Sequence, residues 1–180
     1  IHFKDNTHNM LGFIQKLFGG SKSEKDVKSI QPIVAQVNGY FVAYQSLTND
    51  QLRAKTGEFK ARIQQHLQAI NAEIEQLNAS AEALSFSDFV SKDNIYQEVD
   101  ILKKKRNDEI EAILKEIAPE AFAVVKETGR RFSQNDVLVS GVTELDRQLA
   151  VNHDYVRIEN DQTHFKNTWT AGGGTISWNM

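Results

Sequence analysis

TNDQLRAKTGEFKARIQQHLQAINAEIEQLNASAEAL, Thr48 to Leu84, is the stretch from which the rest of the chain can be read. Thr48 and Gln51 stand as a capping box, each side chain placed to satisfy the other's free backbone N–H, with Leu47 and Leu52 set as a hydrophobic staple. Beyond that start, Leu52, Phe59, Ile63, Leu67, Ile70, Ile74, Leu77, Ala81 and Leu84 mark one helical face with no proline between them. The spacing predicts a helix of about 35 residues, roughly 50 Å long. SFSDFVS, Ser85 to Ser91, breaks it. The pattern resumes at Ile95, Val99, Leu102, Ile110, Ile113 and Ile117, so the two long segments are expected to pair as an antiparallel helical hairpin.

On the amino-terminal side, Val27, Ile30, Val34, Val37, Phe41 and Tyr44 mark a helix that Pro32 either starts or kinks. Before it, Met10 to Phe18 (MLGFIQKLF) places Met10, Leu11, Phe13, Ile14, Leu17 and Phe18 on one face, with Lys16 its only charge. Gly19, Gly20 and the polar stretch to Asp26 read as a linker. Nine residues form a marginal helix that needs a surface. Two readings stand: an amphipathic helix docking on a membrane or partner, or a segment folded back on the core. Residues 1–9, IHFKDNTHN, read as an extension, because two histidines six apart on a tail fix no coordination geometry.

On the carboxyl side, Pro119 suits the first turn of another short helix, with Phe122 and Val125 inward and Gly129 as its stop. After Arg131 the texture changes. Val137 to Val139 reads as a strand, Thr143 to Ala150 as a short helix, and Tyr155 to Glu159 as a strand returning through Thr163 to Trp169 after the Asn160–Asp161 turn. Gly172 to Gly174 reads as a flexible break before a last strand, Thr175 to Trp178. The fold expected is mainly α, a long antiparallel hairpin with short helices and a small carboxyl-terminal β-hairpin.

The 180 residues carry 21 Lys and Arg against 24 Asp and Glu, a net charge of −3, so no bulk attraction to nucleic acid is expected. With no cysteine there can be no disulfide, zinc–thiolate site or thiol nucleophile. No apolar run approaches the roughly 18 residues of a membrane span, and the chain reads as cytoplasmic. Lys103 to Arg106 (KKKR) is followed by Asp108, Glu109 and Glu111, the pattern of a salt-laced helix face.

Tests for catalytic chemistry come out empty. Gly19, Gly20, Ser21 and Lys22 resemble the end of a phosphate loop, but serine stands where that loop needs glycine, and Gly172 to Gly174 has no lysine after it. His66, His153 and His164 are isolated, so no metal site is expected. Glu73 with Glu75, and Glu109 with Glu111, lie two apart on different helix faces and make no acid–base pair. No catalytic residue is assigned.

Three strings nonetheless carry a resemblance. SLTNDQLRAKTGEFKARI (Ser46 to Ile63), PEAFAVVKETGRR (Pro119 to Arg131) and the amphipathic Met10 to Gly19 are similar, in this order, to landmarks at the start of the SecA family of preprotein translocase ATPases, and Val37–Asn38 falls where that family has an aliphatic–Asn pair. The resemblance is to the Bacteroidetes type, with insertions at about Leu67 to Lys115 and Ser133 to Ser177.

That resemblance implies the front part of an α/β RecA-like motor domain that couples hydrolysis of ATP with Mg to export of unfolded preproteins through the SecY channel. Trp178, Asn179 and Met180 look like the lead-in to its adenine-contacting stretch, with Met180 on the nucleotide side. The phosphate loop would follow, so this chain alone is expected to be inactive and to hold no cofactor. The family implies a cytoplasmic protein peripheral to the inner face of the membrane. Met10, Leu11, Phe13, Ile14, Lys16, Leu17 and Phe18 would dock on anionic phospholipid or on the channel. Self-association through uncovered apolar surface is also expected. The rival reading is a stand-alone helical coiled-coil adaptor.

Overall fold

The computed structural model describes residues 22–178. The residues expected to dock, Met10 to Phe18, the Met180 expected on the nucleotide side, the expected 1–9 extension and Gly19–Gly20 lie outside the described residues. Helix α1 (Lys22–Tyr44) runs through Pro32 without ending, and it takes in Lys22 to Asp26, part of the expected linker. Glu and Lys favour helix, and Glu24 in the first turn complements the helix dipole.

Helix α2 (Asn49–Ala83) has the predicted length of 35 residues and the predicted start. The backbone N–H of Gln51 donates to Thr48 Oγ1 at 3.2 Å, and that of Thr48 donates to Gln51 Oε1 at 2.9 Å. A single 3₁₀ turn, Phe86–Asp88, reverses the chain, so the break is shorter than Ser85 to Ser91.

Helix α3 (Phe89–Gln134) then continues for 46 residues, and this corrects the expectation of a new helix at Pro119 that stops at Gly129. Phe122 and Val125 point outward, 61% and 69% exposed, not inward. At 100° per residue Phe122 lies about 180° from Ile113, whereas Ile117, Val124, Glu127 and Arg131 stay within about 40° of it. A proline and a glycine inside a helix cost about 3 and 1 kcal/mol. One unbroken helix offsets them by keeping Ile113 and Ile117 in phase with Glu127 and by burying all three together with Ala123.

The apolar faces of α2 and α3 close as the antiparallel hairpin, with Leu67, Ile70 and Ile74 against Val99 and Leu102. A second cluster at its base joins Tyr44, Leu52 and Ala123, with Val37, Phe41, Leu47 and Val124 around them. Tyr44 contacts Glu120, and Asn38 contacts Lys126, so α1 lies antiparallel to α3.

The β region is more than the expected hairpin. Strands β1 (Val137–Ser140), β2 (Val156–Glu159) and β3 (Gln162–Phe165) form an antiparallel sheet in the order β1-β3-β2, with helix α4 (Glu144–Asn152) between β1 and β2. Val139 and Ile158 flank the buried Thr163. Asn160 and Asp161 take positive φ, 49° and 59°, as the predicted tight turn requires. The stretch Thr163 to Trp169 is divided, because Lys166 N–H donates to Tyr155 O and Asn167 N–H to Asp136 Oδ1, making a corner. Strand β4 (Thr168–Ala171) pairs instead with β5 (Gly174–Ser177). The glycines between them are a built turn and not a loose break, Gly172 at φ 58° and Gly173 at 79°. Among the described residues no helix is long and apolar enough to cross a membrane.

Candidate functional site

The first residues of α2 reach both the end of α3 and the small sheet. Asn49 accepts from Arg131 Nη1 at 2.7 Å and donates through Nδ2 to Leu138 O at 2.9 Å. Beside it Asp50 accepts the Ser140 backbone N–H at 2.6 Å. Arg131 also donates through Nη2 to Leu47 O and Tyr44 O, at 2.6 and 3.2 Å, holding the carbonyls of the α1–α2 turn. Its Nε lies 2.8 Å from Glu127 Oε1. Glu127 is completely buried and takes two more bonds at 2.7 Å from Arg130. Those Arg130 bonds, with Arg131, hold the Glu127 carboxyl below the usual carboxylate range in spite of its burial.

One turn along α2, Arg53 Nη2 donates to Asp146 Oδ2 at 2.5 Å and to Thr143 Oγ1 at 3.0 Å. Asp146 closes the capping box of α4 with Thr143 and accepts from Thr163 Oγ1 at 3.2 Å, so one carboxylate ties α2, α4 and β3 together. Burial pushes Asp146 up, but the bonds from Arg53 and Thr143 more than offset it and leave the group lowered. A third tie lies nearer the hairpin. Glu120 accepts from Arg62 Nη1 at 2.6 Å and from the Tyr44 hydroxyl at 3.1 Å, while Arg62 Nη2 reaches Glu116 at 2.7 Å. Burial and then the Glu120 carboxylate push the Tyr44 phenol well up.

This arrangement is a lock. The Glu127 and Asp146 carboxylates are paired with arginines and lowered, which suits rigid positioning and not proton transfer. Beneath it lies a cleft of about 330 Å³ lined by Leu52, Val124, Phe132, Val139, Leu145 and Phe165. Phe132 meets Phe165 edge-on at 6.5 Å and Trp178 at 5.9 Å, which fastens both sheets to the end of α3.

The two long landmark strings are therefore partners in space: Asn49 and Arg62 of Ser46 to Ile63 bind Arg131 and Glu120 of Pro119 to Arg131. Sequence reading quoted these residues without giving them roles. A signal was present, since Glu120, Glu127 and Arg131 fall on the same helical stripe as Ile113 and Ile117, and charge on an inward stripe calls for a buried counter-charge. His66 bonds Glu109 across the hairpin at 2.9 Å. In the KKKR run, Lys103 pairs with Asp100 along its own helix.

Gly172 to Gly174 turns between two strands and opens no helix, and among the described residues no group of three carboxylates or histidines could hold a cation.

Residues 14–152 match the SecA DEAD-like domain, a span that contains the arginines and carboxylates of the lock but not Thr163. The chain belongs to the SecA family. It is 41% identical over 172 residues to the protein translocase subunit SecA of Christiangramia forsetii, a match covering 96% of this chain and 15% of that protein. The SecA subunits of Porphyromonas gingivalis and Parabacteroides distasonis are each 40% identical over 168 residues, 93% of this chain and 15% of theirs. The chain spans about 15% of the length of the curated relatives it matches. No solved structure matches.

Proposed function

We propose that this chain is the leading, amino-terminal portion of a SecA-type translocase motor, and that its task is to scaffold the motor domain and dock it at the membrane. The whole protein would couple ATP hydrolysis to export of unfolded preproteins through a SecY-type channel from the cytoplasmic face. The observation that carries the reading is the interlocking of the two family landmarks, since Asn49, Arg62, Glu120 and Arg131 pin three helices and a sheet into one rigid base. A base of that kind gives a motor domain a fixed surface to build on. Met180 would serve the adenine side of a site completed by later residues.

In this reading Met10, Leu11, Phe13, Ile14, Leu17 and Phe18 enter the headgroup boundary, with Lys16 adding about 1 kcal/mol on anionic lipid. Sedimentation with phosphatidylglycerol vesicles tests it: binding is lost when residues 10–18 are deleted, and binding unchanged by the deletion removes the docking role. Calorimetric titration of this chain with Mg-ATP gives no stoichiometric binding, because the phosphate grip lies in later sequence.

A further inference from the structure

The amino-terminal half of α1 carries an apolar stripe with nothing upon it among the described residues. Val27, Ile30, Ile33 and Val34 are each 45–54% exposed, whereas Val37, Phe41 and Tyr44 farther along turn into the base. Ile30, Ile33 and Val34 line one wall of a groove whose other wall is Phe122 and Lys126 of α3. Lys126 is held there by Asn38 Oδ1 at 2.8 Å and by the Phe41 ring, 4.4 Å from its centroid, so the groove has a fixed polar rim.

We propose that the occupant of this stripe is the chain's own segment Met10 to Phe18, seated antiparallel on α1 whenever it is not on a membrane. The proposal rests on the docking reading of that segment and adds its resting place. Length and position argue for it. Only Gly19, Gly20 and Ser21 separate Phe18 from the start of α1, and three residues reach about 10 Å, enough to reverse the chain. A nine-residue helix is about 13 Å long, and Val27 to Val34 lie about 8 to 18 Å along α1 from Lys22. The distal end, Met10 and Leu11, then falls beside Ile30, with its apolar face against an apolar stripe of matching period. A link this short gives the segment an effective concentration in the millimolar range, above what a second copy reaches in dilute solution. Seat and lipid would compete for the same six side chains, so docking on a membrane would uncover α1.

The chain contains no cysteine, so an introduced pair reports without background. In the full 180-residue chain, Leu11→Cys with Ile30→Cys forms an intramolecular disulfide under mild oxidation, about tenfold faster than a control pair of Leu11→Cys with Ile101→Cys on the hairpin. Phosphatidylglycerol vesicles slow the bridge, and Val34→Asp slows it without vesicles. A rate equal to the control overturns the proposal, and so does a bridge that forms only between two copies. Loss of vesicle binding on deleting residues 10–18, with no bridge at Ile30, leaves docking standing and removes the seat. A fast bridge with vesicle binding unchanged by the deletion removes docking and keeps the seat.

Discussion

Replacing Glu127 by alanine leaves Arg131 as a cation enclosed by the α1–α2 turn with no counter-ion. Glu127 takes three short bonds, two from Arg130 and one from Arg131. The Arg130 side chain is one-third exposed and can return to water, so its loss is small. Arg131 is only 13% exposed and cannot, although Asn49 Oδ1 and the carbonyls of Leu47 and Tyr44 still solvate it. Breaking a buried pair costs about 3–5 kcal/mol, and the surviving acceptors put this case at about 3. With an m-value near 2 kcal/mol/M the urea midpoint falls by about 1.5 M. Tryptophan fluorescence follows it well, because Trp178 packs on Phe132, the residue after Arg131. The double variant Glu127→Ala with Arg131→Met loses less than the sum of the two single changes, since no orphaned charge remains. A midpoint shift under about 0.3 M for Glu127→Ala, or strict additivity in the double variant, would refute the lock.

Acid loosens the same junction. Glu127 and Asp146 are both lowered by folding, so their contribution is full above the ordinary carboxylate value near 4 and drains away as pH falls from there through the depressed folded values; thermal unfolding followed from pH 7 to pH 2 shows melting fall only below about pH 4.5. In the hairpin, Ile74→Ala leaves a cavity among Leu67, Ile70, Val99 and Leu102 and costs about 2–5 kcal/mol, whereas Phe86→Ala at the exposed tip stays within about 0.5 kcal/mol in the same denaturation assay. Thr48→Ala removes the capping hydroxyl from Gln51 N–H and lowers stability by about 1 kcal/mol, read in the same way.

What could be read in advance follows the range of the interaction that decides it. The capping box at Thr48 and Gln51, the i, i+3, i+4 stripe to Ala81 and the Asn160–Asp161 turn are local, and each was legible in a short window. Pro119 and Gly129 misled because their local preference to start and stop a helix was set against packing on α2 and α1, which a window does not contain. The division between Phe165 and Thr168 depends on bonds to Tyr155 and Asp136, far off in sequence, and so could not be seen. The landmark strings fixed the family, but the partnership of Asn49 with Arg131 and of Arg53 with Asp146 needs three dimensions. Charge at positions 120, 127 and 131 of the stripe that carries Ile113 and Ile117 was the trace it left.

The decisive measurement is a replacement: this chain is put in place of the matching segment of Christiangramia forsetii SecA, and ATP-driven movement of a preprotein into inverted membrane vesicles is followed. A scaffold of the same motor predicts that the hybrid translocates within about tenfold of the parent, and that Glu127→Ala within it weakens translocation together with stability. A hybrid that folds and hydrolyses ATP but moves no preprotein would contradict the assignment.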